Sequence, residues 1–386
     1  MQRRQFIRIA GGGVVLAATA GMAGCSAQMP PEAVAAWQGP GEQAELRLWV
    51  LGYAILAPHS HNLQSWLVDL SQPGQILLFC DLQRLLPETD PFARQIMMSH
   101  GTFLELLDMA ARERGHRAEI TLFPEGVFGP AGPDQRPVAR IRLLPDPGVA
   151  RDPLFAQVLK RHTHRNAYEA ERAVPAAAWQ AMADAVAPYR LRFGHAGLEQ
   201  PALLAPQREV AAEAWRIELS TPRTVMESYR VLRVGAKEIA THRDGIALID
   251  PKVVWLDRLG LFDRSRAPAP DAYATTSQVE EFNAKLASTP AFLWMISGDN
   301  GRVTQVEAGR AYVRVQLAAT AHGVVMQPLQ QALQEYPEQA GPYRGIHQLL
   351  GAAAPGQTVQ MWARVGYAAP VPPAPRRGVQ AHILRA

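Results

Sequence analysis

In the run Lys160-Arg161-His162-Thr163-His164-Arg165-Asn166-Ala167-Tyr168, the residues Arg161, Thr163 and Arg165 fall at alternate positions. In an extended stretch, or at a helix end, alternate residues point the same way. Two guanidinium groups and a hydroxyl can therefore converge on one ligand, and guanidinium groups suit phosphates and electron-rich carbonyl edges. A solvated basic patch is the other reading of these residues. An earlier run, Ala57-Pro58-His59-Ser60-His61-Asn62-Leu63-Gln64-Ser65-Trp66, follows a helical pattern, and Asn62 and Gln64 offer amide donors and acceptors. A polar turn after a helix would look the same. A basic pair, Arg376-Arg377, follows Pro375 near the C-terminus, where an unpaired basic tail is the alternative. Two His-x-His pairs, His59/His61 and His162/His164, are the residue type that binds zinc or copper. No acidic or thiol ligands cluster near them, so no metal ligands are assigned. A hydrolase is disfavoured because no G-x-S-x-G elbow is present, and a dinucleotide fold because no G-x-G-x-x-G follows a strand.

The elements that must position these residues show an internal echo. From Gly101 to Gly115 the apolar residues Phe103, Leu104, Leu106, Leu107 and Ala110 predict a buried helix closed by a glycine cap. Gly309 to Gly323 has the same frame, with Ala318-Ala319 matching Ala110-Ala111, an offset of 208 (309 − 101). A second pair of predicted helices, 45–57 and 176–187, each ends in Ala-Pro, at an offset of 130 (187 − 57). The second half therefore holds 78 more residues (208 − 130) between its two helices, and an insert that could act as a lid is expected among them at about 228–285. Strands are predicted at 76–80, 120–123 and 140–144, then at 215–219, 291–297 and 359–365. Pro- and Gly-rich stretches at 129–137, 145–153 and 267–272 read as loops. Two similar halves imply a pseudo-two-fold, as in a fused homodimer, and an α+β fold class.

The N-terminus, Met1 to Arg8 with Arg3-Arg4, leads into an apolar run from Ile9 to Ala20. It resembles a twin-arginine export signal, and Met22-Ala23-Gly24-Cys25 resembles a lipoprotein cleavage site. The expectation is a periplasmic protein, lipid-anchored at Cys25 or cleaved near it, that meets a membrane only through that signal or anchor. Removing residues 1–25 takes away three arginines and no acids, so the net charge falls from +4 to +1 (4 − 3). Such a charge gives no argument for nucleic acid. Cys80 is then alone, which excludes a disulfide framework. About 360 remaining residues call for two domains or a fused pair: a first half over 40–150 and a second over 151–386.

The Pro58–Trp66 run resembles the Pro-Ser-Ser-x-Asn-x-Gln-Pro-Trp loop of the nitroreductase superfamily, matching at Pro58, Ser60, Asn62, Gln64 and Trp66. His59 replaces a small residue and Ser65 a proline. The Arg161–Arg165 run resembles the FMN-binding start of a subunit of that family. The resemblance spans most of residues 44–380 and is closest to the fused, single-FMN, Acg-like branch. It implies a nitroreductase-like α+β fold in which two fused half-repeats form a pseudo-dimer, and one chain acting as a monomer around one FMN. It assigns Arg161 to the phosphate and ribityl end, Thr163 to a ribityl hydroxyl and Arg165 to the N1/O2 edge of the flavin. Pro58, His59, Ser60, Asn62 and Gln64 would line the flavin from the opposite half. Gly323 to Gln331 would bring backbone near N5 and O4, with Pro328, Gln330 and Gln331 in the site, and Arg376 and Arg377 would grip the phosphate. Only one such site can be assembled, because the stretch after Pro188 reads Tyr189-Arg190-Leu191-Arg192 and holds no Ser, Asn or Gln. The implied activity is hydride transfer through FMN from NAD(P)H to a quinone or nitroaromatic acceptor. The alternatives are a carrier that sequesters FMN beneath a lid and, more remotely, a His-rich metal-binding protein.

Overall fold

A computed structural model describes residues 28–384. The expected export segment, 1–25 with Cys25, lies outside them. The described chain is α+β and is organised around two long helices and two antiparallel sheets. Helix α1 (Leu46–Ala54) leads through the Pro58–Trp66 loop into β1 (Trp66–Asp69) and β2 (Gln75–Cys80). Helix α2 (Arg94–Glu113), β3 (His116–Leu122) and β4 (Ala139–Pro145) follow. The second half repeats the order with α3 (Ala176–Val186) and β5 (Leu191–Ala196). Its intervening elements are α4 (Pro201–Ser220), α5 (Pro222–Arg230), β6 (Leu232–Val234), α6 (Gly235–His242), β7 (Ile246–Leu248), α7 (Pro251–Arg258) and α8 (Tyr273–Ala287). Then come β8 (Ala291–Ser297), α9 (Arg302–Ala321), β9 (Val325–Pro328), α10 (Ala340–Leu349) and β10 (Thr358–Gly366). The two sheets have the orders β1-β2-β4-β3 and β5-β8-β10-β9, while β6 and β7 form a small parallel pair.

The two long helices each carry an apolar stripe that must be buried, and the polar residues that go under with it, among them Arg94, Glu105 and Gln316, are hydrogen-bonded or paired. Helix α2 is buried from Arg94 to Ala111. Its start is fixed by buried Asp90, whose carboxylate accepts from the amides of Gln95 (3.1 Å) and Ile96 (2.9 Å), answering two orphan donors of the first turn. Burial pushes the Asp90 carboxyl up to about 6, against the pull of Arg94 and those two amides.

Helices α2 and α9 cross with almost no space between them. A Cβ on Gly101 would lie 1.9 Å from the carbonyl oxygen of Val306, and one on Gly309 would lie 1.8 Å from that of Met98. The two contacts are reciprocal at one offset, since 309 − 101 and 306 − 98 both equal 208. Each core borrows from the other half: Val306, Val313 and Leu317 of α9 pack into the first, and Met98 of α2 into the second.

The strand expected at 215–219 is part of α4 instead. Its buried positions Leu204, Gln207, Ala211, Ala214 and Glu218 recur every three or four residues, so burial on a helical period overrides the local strand preference of Trp215 and Ile217. Strands β1, β5 and β9 were not expected, being short and flanked by polar turns. The segment between β5 and β8 runs over residues 197–290 and contains the range 228–285, whereas the matching connection between β1 and β2 covers only 70–74.

Candidate functional site

The site begins where α1 ends. Leu56 and Ala57 lie just past its last turn, and their carbonyls point out of the negative end of the helix. Two guanidinium groups meet them. Arg161 donates to Leu56 O (2.9 Å) and to Gln316 Oε1 (2.9 Å). Arg376 donates to Leu56 O (3.3 Å), Ala57 O (3.1 Å), Pro375 O (2.9 Å) and Asn62 Oδ1. Both side chains are buried, and among the described residues neither has a carboxylate within salt-bridge reach. The Nε atom of each is buried with no partner. Burial lowers the Arg161 guanidinium to about 10, and burial followed by the charge of Arg161 lowers that of Arg376 well below its usual value. Two adjacent buried cations without an anion are costly to keep charged.

Trp37 packs against both, its ring 5.4 Å from the Arg161 guanidinium and 5.1 Å from that of Arg376, and it stacks on His162 at 5.5 Å. It is fixed by a bond from Nε1 to Ala374 O (2.8 Å). Sequence reasoning missed Trp37 and Gln316, and no local signal marks either.

The Arg161–Arg165 run lies beside β9. Thr163 forms a parallel bridge with Met326, and His164 N donates to Met326 O (3.0 Å). That register sets Arg165, two residues on, abreast of Pro328 at the end of β9. Among the described residues Arg165 makes no hydrogen bond or ion pair. It is exposed, yet desolvation by the surrounding protein lowers its pKa. Beyond Pro328, Gln330 donates to Gln360 O (3.3 Å), and its Oε1 is buried without a partner. Gln331 is half-buried.

The Pro58–Trp66 loop forms the facing wall. His61, Asn62 and Gln64 have φ of 49°, 55° and 55°, left-handed values that cost L residues about 1–2 kcal/mol each. His59 Nε2 accepts from Ser65 N (3.1 Å), so its Nδ1 carries the proton and donates to Ser60 O (2.7 Å). Thr102 Oγ1 of α2 donates to Pro58 O (2.8 Å), and Ser60 N donates to Ser99 Oγ (3.2 Å). His61 lies within the field of Arg165, and burial together with that charge lowers its imidazole to about 4. Its Nδ1 is 3.3 Å from Ser60 Oγ and its Nε2 3.4 Å from Ser228 Oγ of α5.

The amides of Asn62 and Gln64 hold partners within the protein. Asn62 Nδ2 donates to Pro375 O (3.0 Å) and Gly245 O (3.3 Å) while its Oδ1 holds Arg376. Gln64 Nε2 donates to Arg243 O (2.9 Å), and its Oε1 accepts from Arg377 N (2.9 Å). The Arg377 guanidinium turns back to Gln64 O (2.6 Å) and not into the Arg161–Arg376 cluster. The His164 ring is taken by Ala369 O (2.7 Å), and among the described residues no group of three or more His, Cys, Asp or Glu is placed to hold a metal.

No protein-family model matches the chain. It is similar to two Mycobacterium tuberculosis proteins, from strains H37Rv and CDC 1551, that carry the provisional name NAD(P)H nitroreductase. Each is 26% identical over 343 residues, which span 86% of this chain and 90% of the relative. Solved structures with some likeness include an FMN- and NADPH-dependent nitroreductase from a Sphingopyxis strain, at 17% identity, 60% of this chain, 98% of that one and a TM-score of 0.38. Another is an iodotyrosine deiodinase bound to FMN and 3-iodo-L-tyrosine, at 16% identity, 58% of this chain, 95% of that one and a TM-score of 0.35.

Proposed function

We propose that this chain is an exported flavoprotein of the nitroreductase type, holding one FMN between its two halves. In this reading it passes hydride from a reduced nicotinamide to a quinone or nitroaromatic acceptor. The observation that carries it is the buried, acid-free pair Arg161 and Arg376, each with an orphaned Nε. Uncompensated buried cations suit a phosphate, which supplies both charge and several acceptor oxygens. Arg165, whose charge is felt by His61 and which has no partner among the described residues, suits the electron-rich edge of a flavin ring, with Thr163 beside it. When bound, FMN supplies the hydride chemistry. The chain's own part is to bind and orient it. His61 and His59 stay neutral near pH 7 and add no charge beside Arg165. Asn62 and Gln64, held by Pro375, Arg243, Arg376 and Arg377, shape the loop that would line the flavin. The likeness to nitroreductases along most of the chain supports the same reading.

The fused pseudo-dimer is part of this proposal, supported by the common sheet order and by the reciprocal glycine contacts. A single chain would then be the functional unit, and export would follow from the Arg3-Arg4 segment. A second reading, a protein that holds FMN without turnover, is favoured by the packing of residues 243–245 against the Pro58–Trp66 loop. The test is an absorption spectrum of purified protein, then NADPH oxidation with a quinone added. The expected result is about one FMN per chain, with turnover separating reductase from carrier. Arg165→Ala is expected to weaken FMN retention more than tenfold, since a charge-assisted contact contributes roughly 1.5–3 kcal/mol. A colourless protein that takes up no added FMN would overturn the proposal, and two flavins per chain would overturn its single-site form.

A further inference from the structure

The left-handed stretch of the Pro58–Trp66 loop is held from outside, and one holder belongs to the segment between β5 and β8. Residues Arg243, Asp244 and Gly245 form a sharp corner between α6 and β7, with φ of 52° at Arg243 and 73° at Gly245. Gly245 is the residue that fits there, because a Cβ would come within 2.1 Å of the Val231 carbonyl oxygen. All the hydrogen bonds joining the corner to the loop involve its backbone. Gly245 N donates to Asn62 O (3.0 Å), Asn62 Nδ2 donates to Gly245 O (3.3 Å), and Gln64 Nε2 donates to Arg243 O (2.9 Å).

Asp244 pins the corner in place. Its carboxylate is 1% exposed, and both oxygens are taken. One is paired with Arg84, from the turn after β2 in the first half, and the other with Arg233 Nε (3.0 Å) and Nη2 (2.9 Å) beside the corner. Arg84 also holds Ser65 through its backbone, since Ser65 Oγ donates to Arg84 O.

We propose that Asp244 is the positioning residue of the site: by clamping Arg84 to Arg233 it presses the 243–245 corner onto Asn62 and Gln64 and so maintains the strained conformation of the cofactor loop. The role rests on the flavin reading only in its consequence for FMN. The clamp itself is a property of the chain without ligand. Replacing Asp244 by Asn removes the charge and leaves two guanidinium groups facing each other, a larger disturbance than losing one hydrogen bond.

The experiment is amide hydrogen exchange on the cofactor-free full chain, comparing peptides over 59–66, 229–248 and β10. In Asp244→Asn the 59–66 peptides are expected to exchange at least tenfold faster, with β10 unchanged. The FMN dissociation rate of the loaded protein is expected to rise by a similar factor. Arg84→Gln, at a half-buried surface position, is expected to give a smaller increase in the same peptides, and it serves if Asp244→Asn does not fold. Faster exchange over 229–248 with unchanged 59–66 would overturn the proposal and leave Asp244 a support of its own segment only. Unchanged 59–66 exchange in Arg84→Gln would overturn it equally. If the protein takes up no FMN, the flavin reading fails, but the exchange result still decides the clamp.

Discussion

The corner after α1 and the corner after α3 occupy matching places in the two halves, and they treat charge in opposite ways. After α1, among the described residues, the buried guanidiniums of Arg161 and Arg376 donate only to backbone carbonyls and side-chain amide oxygens. After α3, the cations are answered. Buried Glu105 accepts from Arg310 (2.7 Å) and Arg314 (2.8 Å), Arg314 also reaches Asp152 (2.6 Å), and Glu105 raises the pKa of Tyr189 behind the dominant effect of burial. At the offset of 208, the counterpart of Arg310 is Thr102, which holds the Pro58 carbonyl instead. The loops diverge with the charges: nine residues from Pro58 to Trp66 on one side, and a direct passage from Pro188 into β5 at Leu191 on the other. One backbone arrangement thus carries uncompensated buried cations at one end and a closed ion network at the other, and what differs is which carboxylates are present.

The largest expected effect lies at the closed corner. Glu105→Ala leaves Arg310 without its carboxylate and Arg314 with Asp152 alone, and should cost about 3 kcal/mol of stability in denaturant titrations, with FMN affinity within twofold of the parent. A large loss of FMN from that variant would mean that the two corners are not independent. At the open corner the balance inverts. Arg376→Ala relieves a like-charge neighbour, so its unfolding midpoint should move little. Its FMN affinity, read by flavin fluorescence, should fall on the order of a hundredfold, since two charge-assisted contacts are lost.

A smaller effect separates the corners by pH. The folded-state pKa of His61, about 4, is depressed below its usual value of 6.5. The folded form therefore favours the neutral ring. The stabilisation this gives is present above pH 6.5 and is lost as pH falls toward 4, by about 2–3 kcal/mol at most. In His61→Gln the stability loss between pH 6.5 and 4 should shrink. The closed corner has no histidine among its charged groups, so a Glu105 variant should keep the acid slope. A slope unchanged by His61→Gln would place the acid sensitivity elsewhere.

The C-terminal ends of the long helices and the edges of β8 and β10 were legible in the sequence because their signals are local, apolar spacing closed by Gly115 or Gly323, whereas the helices start seven residues before Gly101 and Gly309, which lie inside them at the crossing. The segment 215–219 was misleading for the same reason, since its strand-like residues sit on a helix whose burial period shows only over the full length of α4. The site was half legible. Arg161, Arg165 and Arg376 stand where cations could converge. The amides of Asn62 and Gln64 were read by type alone, and only the fold shows that Arg376, Arg377, Arg243 and Gly245 already claim them. The corner had a local signal, because Asp244-Gly245 is a turn dipeptide, but its partners Asn62 and Arg84 lie about 160–180 residues away. Trp37 carries no such mark, since its role comes from distant arginines.

The crossing of Gly101 with Gly309 also governs when the protein can fold. The first core is not closed until Val306, Val313 and Leu317 are in place, so residues complete by position 145 must wait for about 170 more. At roughly 5–20 residues per second, synthesis leaves the first half without its partner helix for about 10–40 s. During that interval the apolar face of α2 and the edges of its sheet are uncovered. Nascent chains stopped before residue 300 are expected to be captured by chaperones, whereas chains extended past α9 are not.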